Sequence, residues 1–148
     1  MSSYLFRKKD KFNYANLISR ILKDKCEVIG TLVEDYYSGD FIIFFFDKQD
    51  NKLKTIRHYF GSCEMCDELL SIEGDIEKEK EFANMLYEKR TDIAETIDYI
   101  LHNEYFKDNV DYELLIEALY SRLTKHKDEI SKDDWEKIEL LAIQSQLN

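Results

Sequence analysis

The sequence predicts an α+β fold: a three-stranded antiparallel meander preceded by one helix and followed by four to five helices. Three observations carry this expectation. Residues 26–60 are rich in Val, Ile, Thr, Tyr and Phe and are interrupted by short polar turns, which is strand composition. The segments on either side instead repeat apolar side chains at helical spacing. The chain has no Pro and only four Gly, so long regular elements meet few breakers.

Residues 13–23 form the first predicted helix, because Tyr14, Leu17, Ile18, Ile21 and Leu22 fall on one face of a 3.6-residue repeat. Asp24 and Lys25 break that periodicity. Residues 26–37 read as the first strand, with Gly30 marking a bulge or a close backbone approach. A hairpin turn at residues 37–40 leads into Phe41-Ile42-Ile43-Phe44-Phe45-Phe46. This run shows no polar alternation, so both of its faces must be buried and both sheet faces need a covering layer. A polar loop at residues 48–52 leads to the third strand, residues 53–60, and the short connections put the Phe-rich strand in the middle.

Gly61 and Ser62 then read as a turn and an N-cap. A short helix over residues 63–72 ends at Gly74, whose freedom at positive φ suits a C-cap. Asp75 opens a helical stretch to about residue 102, with Phe82, Leu86, Ile93, Ile97, Ile100 and Leu101 inward and a break expected near Arg90-Thr91-Asp92. Leu114, Leu115, Ala118, Leu119 and Leu123 define a helix over residues 111–125. The last helix starts at Ser131, with Asp134 three residues on in a capping-box pattern and Trp135, Ile138, Leu141 and Ala142 as its core face.

A chain of 148 residues is the size of one domain and can bury a core without metals or disulfides. We therefore expect a single α+β domain over residues 1–148, with residues 1–12 as a flexible arm. That arm mixes Tyr4, Leu5 and Phe6 with Arg7, Lys8 and Lys9, but packing or disorder explains it better than nucleic-acid binding. No apolar signal segment follows it. Three Cys, an odd number, and the lack of any long apolar run point to a cytoplasmic, non-membrane protein with reduced or metal-bound thiols.

Charge is unevenly placed. Residues 1–61 sum to +3 and residues 62–148 to −13, within a total of −10. Such a surface repels duplex nucleic acid and anionic membranes and attracts basic partners.

Cys63 and Cys66 hold the sharpest chemical candidate. Three residues apart at a helix start, their sulfurs share a face, which suits a thiol-redox pair or half a zinc site. Adding Cys26 and His58 completes a Cys₃His set for zinc. Against redox work stand Glu64, Asp67 and Glu68, whose charge favours neutral thiols, and the lack of any Pro to sit beside a dithiol. Small packing side chains at a strand-to-helix corner are the plainer reading. Glu95, Asp98 and His102 also share a helix face, a spacing that any solvated charged face produces. Walker, Gly-rich phosphate, HExxH and G-x-S-x-G patterns are missing, so no catalytic residue is assigned.

The segment Tyr59-Phe60-Gly61-Ser62-Cys63-Glu64-Met65-Cys66-Asp67 resembles a Y-x-G-S-C-x-x-C-D box in small uncharacterised proteins of phages and large DNA viruses. In that group the box lies between a strand and a helix, and small residues are usual where Glu64 and Met65 stand. The resemblance implies a viral accessory protein of the host cytoplasm and no catalytic residue. The functional expectation is a non-enzymatic, acidic protein-binding module without a cofactor, acting on a host factor if the protein is viral. Its alternative is a zinc-binding or thiol-redox protein centred on Cys63 and Cys66.

Overall fold

A Phe-rich strand with both faces apolar is the centre of the molecule, and helices close over it from both sides. The computed structural model describes residues 14–33, 39–60, 71–103, 117 and 130–147. Among them, four strands form one antiparallel sheet in sequential order: β1 (Cys26–Val33), β2 (Gly39–Asp47), β3 (Lys52–Phe60) and β4 (Thr91–Asp92). Four helices accompany it: α1 (Tyr14–Ile21), α2 (Ile76–Glu88), α3 (Ile93–His102) and α4 (Lys132–Leu147).

The three-stranded meander therefore gains a fourth strand. β4 is two residues long and pairs with β3 through Lys54 opposite Asp92 and Thr55 opposite Thr91. A two-residue bridge between helices is too short to carry an alternating pattern, so only the tertiary path reveals it. The Phe-rich strand lies inside the sheet, with β1 and β3 on either side.

Alternation along β2 divides the core. Phe41, Ile43 and Phe45 pack with Leu17 and Ile18 of α1 and with Phe82, Ala83, Leu86 and Tyr87 of α2. Ile42, Phe44 and Phe46 pack with Ile93, Ile97 and Ile100 of α3 and with Ile138 and Leu141 of α4. The six β2 side chains from Phe41 to Phe46 are at most 4% exposed. Both faces of β2 are thus dry, as a strand without polar alternation requires.

β1 reaches both layers by means of a bulge. Its register with β2 shifts between Val28 and Gly30, leaving Ile29 as the extra residue. Because side chains alternate with period two, one inserted residue moves everything beyond it to the other face. Cys26 and Val28 accordingly belong to the α1–α2 layer, while Ile29 and Leu32 belong to the α3–α4 layer. The expected irregularity at Gly30 is a bulge one residue earlier.

Local signals account for the ends. The Asp75 side chain caps α2 by accepting the Lys78 N–H at 3.2 Å, just after Gly74 at φ +90°. The break expected near Arg90 is present: α2 ends at Glu88, and Asp92 is the N-cap residue of α3. The Asp92 carboxylate does not cap that helix, because Lys54 Nζ occupies it at 2.6 Å. Ser131 Oγ accepts the Asp134 N–H at 3.1 Å at the start of α4. Gly39 and Asp40, expected in the hairpin turn, already belong to β2, opposite Phe60 and Tyr59, and residues 34–38 lie outside the described residues. The arm at residues 1–12, residues 63–70 of the short helix and nearly all of the expected 111–125 helix lie outside the described residues.

Candidate functional site

The zinc set comes first. Cys26 sits opposite Asp47 at one end of the sheet, and His58 sits opposite Phe41 near the other. Asp47 and Phe41 are six positions apart along β2, which is roughly 20 Å of extended chain. Zinc ligands all lie within about 2.3 Å of the ion, so one ion cannot take both Cys26 and His58. The reason is topological: in a meander the first and third strands run in the same direction, so the start of one and the end of the other are far apart. Cys63 and Cys66 lie outside the described residues. Among the described residues, no group of three or more His, Cys, Asp or Glu is placed to hold a metal.

Cys26 belongs instead to a buried polar anchor. Asp47, fully buried at the end of β2, accepts Tyr87 Oη–H at 2.7 Å, Arg90 Nε–H at 2.6 Å and the Gln49 N–H at 3.0 Å. Gln49 Oε1 also lies 2.7 Å from the Tyr87 hydroxyl. The Arg90 guanidinium lies 4.0 Å over the Tyr87 ring and donates to Tyr87 O and Asp50 Oδ2 at 3.1 and 3.2 Å. Burial pushes the Asp47 carboxyl up, but the bonds from Tyr87, Arg90 and Gln49 outweigh it and hold it below its ordinary value. The neighbouring Cys26 thiol is pushed up to about 12, first by burial and then by the Asp47 charge. A thiol so placed is neutral and inert, a packing residue.

His58 is enclosed by aromatic rings. Phe82, Phe41 and Tyr14 lie 5.7, 6.0 and 6.4 Å from it between ring centroids. Lys89 Nζ lies 2.7 Å from Nδ1, so an ammonium donating there uses the lone pair that a metal would need. The other charged trio disperses. His102 Nδ1 lies 2.7 Å from the Asp98 backbone oxygen, and the Asp98 carboxylate accepts Lys137 Nζ at 2.8 Å, tying α3 to α4. Glu95 points to a different place, a cleft.

That cleft, of about 290 Å³, is lined by Arg57, Lys89, Thr91, Glu95, Thr96 and Tyr99. Its floor is a hydroxyl cluster: Thr55 Oγ1 bonds Thr96 Oγ1 and lies 3.1 Å from Thr91 Oγ1. The cluster ties β3 to β4 and to the first turn of α3. The Arg57 guanidinium lies 4.0 Å over the Tyr99 ring. Of these residues the sequence singles out only Glu95, because β3, β4 and α3 each contribute only a few of them.

A second surface lies on α4. Its inward residues Ile138 and Leu141 are fully buried, whereas Leu140 and Ile143 are 45% and 54% exposed. Asp133, Glu136 and Glu139 are exposed on the same helix. No described helix is long and apolar enough to cross a membrane.

Comparison with known proteins gave no match: no family model, curated sequence or solved structure is significantly similar to the chain.

Proposed function

We propose that the chain is a non-enzymatic protein-binding module whose α4 face receives a basic partner. One observation carries the reading. Both sheet faces are closed by helices, yet α4 keeps two large aliphatic side chains, Leu140 and Ile143, outside the core and among Asp133, Glu136 and Glu139. Apolar anchors within a charged rim are the common anatomy of a protein contact. The surplus negative charge of residues 62–148 would steer a basic surface toward it, and burial of the aliphatic pair would then hold it. Lys132 is also exposed there, while Lys137 is engaged by Asp98.

The test is capture from native extract on the immobilised wild-type chain and on a Leu140→Glu/Ile143→Glu variant, across a salt series. The expected result is a protein held by the wild type at low salt, released as salt rises, and bound at least about tenfold more weakly by the variant once purified. Equal retention by both chains, or no protein held at low salt, overturns the proposal.

A further inference from the structure

We propose that the cleft between β3, β4 and α3 binds a small zwitterion, with Arg57 receiving its oxyanion and Glu95 its ammonium group. Arg57 and Glu95 carry opposite charges and line the same cleft. Opposite charges sharing a cleft would ordinarily pair, and these do not: among the described residues neither forms an ion pair. The Arg57 guanidinium lies instead on the Tyr99 ring, at 4.0 Å. Seated over the ring without a carboxylate partner, the guanidinium keeps N–H groups available, and these recognise carboxylate or phosphate oxygens in a bidentate manner.

The walls supply the rest of the selection. Thr91 and Thr96 present hydroxyls that can donate or accept. Their positions are fixed, because both bond to Thr55 Oγ1, on a threonine that is fully buried. The Lys89 ammonium also lines the cleft and donates one of its three hydrogens to His58 Nδ1, so it adds to the positive potential that an oxyanion meets at Arg57. At about 290 Å³ the space is at the small end of ligand sites, the size for an amino acid rather than a nucleotide. A simple cation is disfavoured by Arg57 and Lys89, and a simple anion leaves Glu95 without a partner. A molecule carrying both charges satisfies both residues.

The experiment is an amide-resolved NMR titration of the full chain with glycine, β-alanine and 4-aminobutyrate, using acetate and methylamine as single-charge controls. At least one of the three zwitterions is expected to give saturable shifts at Thr91, Glu95, Thr96 and Tyr99. The two controls should bind at least about tenfold more weakly. Arg57→Gln and Glu95→Gln should each weaken the binding by a similar factor while leaving the amide spectrum of α1 unchanged, since both residues are exposed and α1 lies on the opposite face of the sheet from α3. Shifts that never saturate, shifts of equal size with acetate, or undiminished binding in either variant overturn the proposal.

Discussion

Asp47 and Arg90, 43 residues apart in sequence, are joined by a 2.6 Å bond from Nε to Oδ2 at a point where the carboxylate has no exposure to water. This bond fastens the β2–β3 hairpin to the chain leaving α2, and Tyr87 Oη reinforces it on the other carboxylate oxygen. Removing Arg90 would leave a buried charge with weaker compensation, so Arg90→Ala is expected to cost about 3 kcal/mol. Asp47→Asn, which keeps the shape but loses the charge, should cost less. Urea unfolding midpoints compare the two; an Arg90→Ala midpoint equal to wild type would refute the anchor.

Acid titration should separate two kinds of carboxylate. Asp47 lies below its ordinary value, and so does Asp92, chiefly through the hydrogen bond from Lys54. Each contributes stability that is present above the unfolded-state value, near 3.8, and is lost as pH falls through the lower folded value. Asp134 lies above its ordinary value, first because it is buried, with the charges of Asp92 and Asp133 adding to the effect. Its sign is opposite: it favours folding at low pH and withdraws that support as pH rises from 3.8 through its higher folded value. Asp134→Asn should therefore be neutral or stabilising at pH 7, whereas Asp47→Asn destabilises there. Thermal melts of both variants at pH 7 and near pH 4 check the signs.

Cys26 should resist alkylation while the protein is folded. A thiol raised from 9.0 to about 12 holds on the order of 10³-fold less thiolate at neutral pH than an unperturbed one. Site-resolved mass spectrometry after brief iodoacetamide treatment measures this directly. Labelling of Cys26 as fast in native buffer as in denaturant would contradict the packing role.

The threonine cluster can be apportioned by a double-mutant cycle. Thr96→Val removes one partner of the buried Thr55 hydroxyl and should cost about 1 kcal/mol. Thr55→Val should cost a similar amount. The double variant should cost less than the sum, because no buried hydroxyl of that pair is then left without the other. Additive costs would mean that the two groups do not depend on one another.

Much of the architecture was legible along the chain because its causes are local. The apolar run from Phe41 to Phe46 announced a central strand covered on both faces, and α1, α2, α3 and α4 supply that cover. Asp75 and Ser131 announced helix starts through side chains that reach only three residues. The candidate sites fared differently. Pairing Cys26 with His58 assumed that types suited to zinc would meet, and the order of strands keeps them at opposite ends of the sheet.

The sequence alone determined the α+β class, the inner position of β2 and the demand for two helical layers, since hydrophobic period and turn chemistry act over a few residues. Tertiary structure decided which side chains became neighbours. The two-residue β4, the Asp47–Tyr87–Arg90 anchor and the cleft between Arg57 and Glu95 all join positions distant in sequence. Such contacts follow from how packed layers close around the sheet, and no local pattern encodes them.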